Sequence, residues 1–369
     1  MAKRVFIAAT RQNEGKTTVS LGLLACLSST VKRLGFIKPV GQRYIEVDGH
    51  KIDEDAVLIR DVFAMPFALQ DMSPVAIAKH FTRDYIDRGD EHDLKREIWR
   101  AFRAVDGESD FVVVEGTGHA GVGSCFDLSN ASVARLLKSK VILVAGGGIG
   151  KPIDEVLLNR CLFAGAGVDI MGVIINKVLP DKMEEVEHYG RKGLEKFGME
   201  LLGCIPYQEQ LVGPTMQQVL DEGGGELLNG SGHLDVHIER IVIGAMTPHR
   251  ALDYLGRGAL LITAGDREDL MLAAMGGCML GLGKTNCVSG IVLTGGIYPH
   301  ENILRLVRKT WVPVVLVKDD SYTAAHKISE ITFKIRPNDK KKISIARRLV
   351  HKYVNVDRIT EIAMSQVVD

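Results

Sequence analysis

Long apolar runs are missing from this chain, and a helix that crosses a bilayer needs about 20 consecutive apolar residues. The opening residues, MAKRVFIAATRQNEG, likewise lack the apolar core of a secretory signal. Net charge is missing too. The 46 Lys and Arg balance 46 Asp and Glu, so neither nucleic acid nor an anionic membrane is expected as a partner. Paired C-x-x-C cysteines are absent. Cys26, Cys125, Cys161, Cys204, Cys278 and Cys287 are scattered, which reads as reduced thiols with no metal or disulfide role. A cytoplasmic protein is the expectation.

What is present is glycine, at 39 residues, and short β-branched runs that alternate with helical spacing. At 369 residues the chain exceeds what one core usually organises, so two domains are expected. Strands are predicted at 4–9, 33–39, 110–116, 140–146, 170–176 and 201–206, with helices at 17–30, 93–105 and 153–165. Continuous apolar strands between helices predict a parallel sheet covered on both faces. Residues 208–235 are polar and carry a glycine triplet, which places a domain boundary or linker at the start of this stretch. Further strands at 240–246, 258–265, 288–296 and 312–320 predict a second, smaller α/β domain. The resulting division is 1–210, 211–353 and a tail at 354–369. The basic cluster NDKKKISIARRLVHKY (338–353) suits an amphipathic helix with a solvated charged face.

The stretch ATRQNEGKTTVS (9–20) sits where the first strand gives way to a helix. Gly15, Lys16 and Thr17 there match a phosphate-binding loop, in which backbone N–H groups and the helix dipole meet phosphate oxygens. Lys16 would reach the β- and γ-phosphates, and the Thr17 hydroxyl would bind Mg²⁺. Thr10 stands where the pattern's first glycine belongs. FVVVEG delivers Glu115 at a strand end, as a Mg²⁺ ligand, as an acceptor for the ion's own ligands, or as a surface acid at a turn. Asp55, in DEDAV, is a further metal or water ligand, or else an acid that favours a helix N-terminus. Lys38, in GFIKPVGQ, would lean over the γ-phosphate or an acidic substrate, or lie on the surface. Asn176 and Lys177 end GVIINK, where an amide can face a nucleobase. A guanine site would want an acid where Leu179 lies, so adenine is favoured.

These stretches, in this order, resemble dethiobiotin synthetase and its relatives among the P-loop ATPases, over roughly residues 1–210. The resemblance implies that Gln12, Asn13, Glu14, Gly15, Lys16, Thr17 and Thr18 form the phosphate loop. It makes Thr17, Asp55 and Glu115 the Mg²⁺ shell and Lys38 the active-site lysine, beside Lys16. It sets Glu115, Gly116, Thr117 and Gly118 by the nucleotide, and Asn176, Pro206 and Tyr207 around adenine. In that family ATP phosphorylates a carbamate or a carboxylate, and sites are often completed across a two-fold interface, which implies a homodimer.

Residues 211–350 resemble a DRTGG domain, through PTMQQV, VIGAMTPHRALDYL, TAGDREDLMLAAM and GIVLTGG. The pairing is similar to the N-terminal half of long bacterial phosphate acetyltransferases, and no transacetylase domain is expected in this chain. Asp266, Arg267, Gly295 and Gly296 would hold a small anion or nucleotide, or else supply a helix cap and a tight turn. Gln12 and Gln42 lie where the synthetase's substrate-contacting hydroxyls belong, and SPV (73–75) lacks the histidine of its Ser-Pro-His stretch. Arg11 stands where some dimeric ATPases of the superfamily carry a signature lysine. The readings that follow are three. One is a Mg²⁺·ATP-dependent enzyme acting on a small carboxylate or carbamate. Another is a nucleotide-dependent regulatory module whose second domain binds a ligand or partner. The third is dethiobiotin synthesis itself.

Overall fold

A computed structural model describes residues 2–89, 93–280, 287–330, 335–337 and 339–365. The chain divides into two units. One is built from the residues up to Tyr207 together with those from Ile335 onward, and the other begins at Gln208 and ends before that return.

The first unit is organised by six parallel strands: β1 (Lys3–Ala9), β2 (Leu34–Ile37), β3 (Phe111–Glu115), β4 (Val141–Ala145), β5 (Ile170–Val178) and β6 (Leu201–Pro206). Their order across the sheet is β6-β5-β4-β1-β3-β2. Phe6, Ala8, Val112, Val114 and Leu143 join one core with residues of the helices Leu94–Gly107, Asn130–Leu136 and Gly150–Gly165. The alternate residues Val5, Ile7, Val113 and Ile142 are just as buried, so the sheet is covered on both faces. A small antiparallel hairpin, Tyr44–Val47 with His50–Asp53, leads straight into the helix α2 (Glu54–Phe63).

Helix α1 (Lys16–Leu27) follows β1 and carries apolar residues all round, with Val19, Leu21, Leu23 and Leu24 fully buried. Such a helix must be enclosed. It touches β1 and β3, and it also packs against a helix from the far end of the chain, Lys340–Tyr353. A Cβ at Gly22 would lie 2.3 Å from Val350 Cγ2 and 2.8 Å from the Ala346 carbonyl, so only glycine permits this approach. The chain then runs along the edge strand β6, where Asn355 N donates to Leu202 O at 2.8 Å and Val354 bridges Gly203. That cover shields an otherwise open sheet edge. Residues 338–353 were expected in the second domain and 354–369 as a separate tail. Their described residues belong to the first unit instead, because an amphipathic pattern marks an apolar face but not the core that will receive it. Residue 338 and residues 366–369 lie outside the described residues. Gly22→Val is expected to lower stability by about 1–3 kcal/mol through overpacking, read as a reduced urea midpoint. Unchanged stability would mean that the two helices do not pack this closely.

The second unit has a sheet of five strands, β7 (Glu226–Asn229), β8 (Arg240–Ile243), β9 (Ala259–Ala264), β10 (Gly290–Thr294) and β11 (Val314–Leu316), ordered β7-β11-β10-β9-β8. Strands β8 to β11 are parallel and β7 runs antiparallel beside β11. Leu261, Ile291 and Leu293 face one core and Leu260, Ile262 and Val292 another. The polar stretch after the boundary at Gln208 holds β7 and a short helix, Met216–Gly223, whose N-terminus carries a capping box between Thr215 and Gln218. The thiol expectation also needs correction: Cys278 and Cys287 are joined in a disulfide, their Cα atoms 5.4 Å apart. Cys278 lies in the last turn of the helix α3 (Glu268–Met279) and Cys287 precedes β10, so tertiary convergence makes a pair that spacing does not advertise. Among the described residues no helix is long and apolar enough to cross a membrane.

Candidate functional site

The loop between β1 and α1 is braced by its surroundings. Gly15 occupies the helix N-cap with φ +92°, a left-handed conformation that favours glycine, and a Cβ there would come within 2.2 Å of Asn176 Nδ2. Asn176 and Lys177, at the end of β5, prop the loop from behind. Asn176 Nδ2 donates to Glu14 O at 2.8 Å, and Lys177 Nζ donates to Asn13 O. The first turn of α1 carries no acidic residue of its own, and among the described residues its N-cap makes no side-chain hydrogen bond. Lys16 is almost buried, at 9% exposure.

Thr10 explains its own departure from glycine. Its Oγ1 donates to Glu155 Oε2 at 3.1 Å, and Asn159 Nδ2 donates to its carbonyl at 3.3 Å. Asn159 Oδ1 also accepts from Ala120 N at 2.8 Å, so one helix face ties two loops together. Arg11 pairs with Glu155 at 2.7 Å. Glu155 and Asn159 were not singled out in the sequence; their spacing of four on an otherwise apolar helix face was the available signal.

A compact charged cluster lies next to α1. Glu115, fully buried at the end of β3, accepts from Thr17 Oγ1 at 3.1 Å and from Lys38 Nζ at 2.8 Å, both through Oε1. Lys38 also bonds Asp55 Oδ2 at 2.6 Å. Strand β2 lies beside β3, which sets Lys38 next to Glu115, and its amide is fixed by donation to Met72 O at 2.7 Å. Burial alone would push the Lys38 ammonium down. The charges of Asp55, Glu115 and Asp53 outweigh it and hold the ammonium well above the usual lysine value. Asp53, another residue not singled out in the sequence, caps α2 by accepting from Asp55 N at 2.9 Å. Glu115 Oε2 is buried without a hydrogen-bond partner among the described residues. A carboxylate oxygen so placed, beside a threonine hydroxyl, fits a hard cation such as Mg²⁺, which takes oxygen ligands. Among the described residues no group of three or more His, Cys, Asp or Glu forms a ready-made metal cage.

Gly116, Thr117 and Gly118 turn back toward β1. Gly116 N donates to Ile7 O at 2.9 Å, Ala9 N to Gly118 O at 3.3 Å, and Asn130 Oδ1 accepts from Thr117 N at 3.0 Å. Pro206 and Tyr207 end β6 beside β5, with Tyr207 N donating to Val178 O at 2.7 Å. Gln12 Nε2 donates to Gln42 Oε1 at 3.3 Å. Strand ends therefore gather the phosphate loop, Lys38, Asp55, Glu115–Gly118 and Asn176 along one sheet edge.

In the second unit Asp266, Arg267, Gly295 and Gly296 also follow strand ends. Arg267 is engaged by Asp269, at 2.9 and 3.1 Å, and by the carbonyls of Gly244 and Met246. Gly295 and Gly296, at φ +79° and +65°, form a tight turn whose amides donate to Asp319 O and Val317 O. Asp266 is exposed, and Arg267 is the N-cap of α3, with no side-chain cap hydrogen bond among the described residues.

A parallel sheet that delivers a Gly-Lys-Thr loop into a buried helix defines a P-loop NTPase-like α/β protein. The chain belongs to the AAA domain family, whose profile matches residues 3–215. A DRTGG domain matches residues 218–331. The chain is 30% identical over 368 residues to phosphate acetyltransferase of Nitratidesulfovibrio vulgaris, covering 96% of this chain and 51% of that protein. It is 29% identical to phosphate acetyltransferase of Pseudomonas putida, covering 95% of this chain and 50% of that protein. The chain thus spans about half the length of the curated relatives it matches. Among solved structures it is similar to the septum site-determining protein MinD of Pyrococcus horikoshii complexed with Mg-ADP. That likeness has a TM-score of 0.36 and 16% identity, and covers 57% of this chain and 84% of that one.

Proposed function

We propose that the chain binds Mg²⁺·ATP at the β1–α1 loop and transfers the γ-phosphoryl group to a small carboxylate or carbamate. The observation that carries this reading is Glu115: its Oε1 meets both Thr17 and Lys38, while its buried Oε2 has no hydrogen-bond partner among the described residues. The amides from Gln12 to Thr18 and the Lys16 ammonium hold the β- and γ-phosphates at the helix N-terminus. Thr17, Asp55 and Glu115 would hold Mg²⁺, which would supply charge neutralisation when bound. Lys38, kept protonated by its acids, presents a fixed ammonium to the transferring group. An acceptor oxygen forms the new bond to phosphorus as the bond to the β-bridging oxygen breaks, and ADP leaves. Gln12 and Gln42 offer neutral amides to the acceptor. Adenine is met by Asn176, Lys177, Pro206 and Tyr207, with Gly116, Thr117 and Gly118 beside the nucleotide. This reading carries a cytoplasmic homodimer with it.

A second reading is supported by the helix that packs on α1. It is the first described helix after the second unit, so a change at the phosphate loop would bear directly on the segment leaving the DRTGG domain. ATP would then regulate, and Asp266, Arg267, Gly295 and Gly296 would mark the edge at which that domain takes its ligand or partner. One assay separates the readings: Mg²⁺-dependent ATP hydrolysis with and without a panel of carboxylates, including diaminopelargonate with bicarbonate. Turnover stimulated by one carboxylate is the expected result. Slow turnover indifferent to every acceptor, with nucleotide-dependent protection from proteolysis, would favour regulation.

A further inference from the structure

Asn159 stands inside the helix Gly150–Gly165, 8% exposed, where an alanine or leucine would suit the helix better. Its buried amide is used from both ends. Oδ1 accepts from Ala120 N at 2.8 Å, and Nδ2 donates to Thr10 O at 3.3 Å and to Glu155 O at 2.8 Å. A backbone N–H can only donate and a carbonyl can only accept, so turning the amide over would break every one of these bonds. Satisfying the Ala120 N–H would need an acceptor alone. The donor half reaches a different segment, at Thr10, the first residue of the phosphate loop after β1. Ala120 lies on the loop that leaves Glu115 at the end of β3. Nearer the sheet these two loops meet through Ala9 N, which donates to Gly118 O at 3.3 Å. Asn130, also buried, donates to Thr117 O at 2.8 Å and to His119 O at 2.7 Å. The peptide between His119 and Ala120 is therefore gripped at its carbonyl by Asn130 and at its N–H by Asn159. The far end of the phosphate loop has its own braces, Asn176 at Glu14 and Lys177 at Asn13.

We infer that Asn159 is a positioning residue: it locks the start of the phosphate loop to the loop after β3, so that the nucleotide phosphates and the groups from Glu115 onward meet in one register. This rests on the Mg²⁺·ATP reading above and deepens it. Asn159 acts through the two backbones it holds and not by contact with the nucleotide. Losing it leaves the braces at Asn13 and Glu14 in place, so phosphate binding persists while the alignment needed for transfer is lost.

The test compares two variants of the full chain. Asn159→Leu removes both halves of the amide at similar volume, whereas Asn159→Asp keeps an acceptor for Ala120 and loses the donor for Thr10. Both are expected to lower kcat for ATP hydrolysis by about ten-fold to a hundred-fold, the scale on which a misplacement of about 1 Å costs rate. ADP affinity in calorimetry is expected to stay close to that of the wild type. A residue with a merely structural role would lower the urea midpoint and leave kcat per folded molecule unchanged, and that result would overturn the inference. So would a wild-type kcat in Asn159→Asp alone, since the side chain would then serve Ala120 and nothing else. Hydrogen exchange on the wild type supplies a check that stands even if both variants fail to fold. The Ala120 amide is expected to exchange slowly without nucleotide, and ADP is expected to slow exchange across 116–120 as well as across the phosphate loop. Fast exchange at Ala120, or protection confined to the phosphate loop, would overturn the inference. ADP titrated into the wild type separates the two proposals: no ADP binding removes the nucleotide reading and this inference with it. ADP binding alongside unaffected variants removes only the role of Asn159.

Discussion

Lys16→Ala is expected to lower ATP hydrolysis by on the order of a hundred-fold or more, the scale for removing one charge-stabilising donor from a phosphoryl-transfer or oxyanion site. Lys16 stands at the first position of α1 and is almost buried, so its ammonium cannot be replaced by a neighbour swinging in from solvent. Gly15 and the N-terminal amides would still face the phosphates, so a weakened adenine nucleotide affinity rather than a complete loss is expected in calorimetry. Helix α1 should persist, because alanine is a good helix former and the apolar contacts of Val19, Leu21, Leu23 and Leu24 are untouched. Circular dichroism and the thermal midpoint therefore serve as controls. A Lys16→Ala protein that binds and hydrolyses ATP like the wild type would remove the phosphate-loop reading altogether.

Lys38→Met carries the largest expected effect on stability. The methionine fills much of the same volume, but Asp55 and Glu115 are left as buried carboxylates without the cation between them. Breaking a buried ion pair from one side costs about 3–5 kcal/mol, since an uncompensated charge remains in a poorly solvated place. Chemical denaturation should show that loss, and Lys38→Met with Asp55→Asn should recover part of it. Added Mg²⁺ is expected to stabilise Lys38→Met more than the wild type, because the cation replaces the missing charge. Wild-type stability for Lys38→Met would mean that the cluster is not buried as described.

The pH dependence follows from the direction of the Lys38 shift. Its folded-state value is raised well above the ordinary lysine value. The stability it contributes is therefore fully present below the ordinary value of about 10.4, and is lost only as pH rises through the higher folded value. Between pH 6 and 9 the ammonium stays charged, so no inflection in stability or turnover within that window should vanish in Lys38→Met.

Much of the site could be read before any fold was known. Gly15-Lys16-Thr17 at a strand-to-helix junction, Glu115 at the end of FVVVEG, and Lys38 and Asp55 near the next strand end are all local patterns. Each element's period and each residue's place at its end suffice to put them at one sheet edge. What the local pattern could not supply was the pairing: Lys38 meets partners 17 and 77 residues away. The type of Asn176 suggests an amide that can face a base, but not that its NH₂ also supports the loop at Glu14. Asp53, Glu155, Asn159 and Asn130 matter through what they touch, and short polar side chains do not announce their partners.

Sequence by itself determined the alternation of strand and helix, the two α/β series and the chemistry offered at the strand ends. These depend on periodicity and side-chain type, both of which are properties of neighbouring residues. Tertiary structure alone decided that the chain returns to lay a helix on α1 at Gly22, that a polar stretch contributes an antiparallel strand, and that Cys278 meets Cys287. Those outcomes depend on which distant surfaces are complementary, and an apolar face or a thiol carries no record of its partner's position.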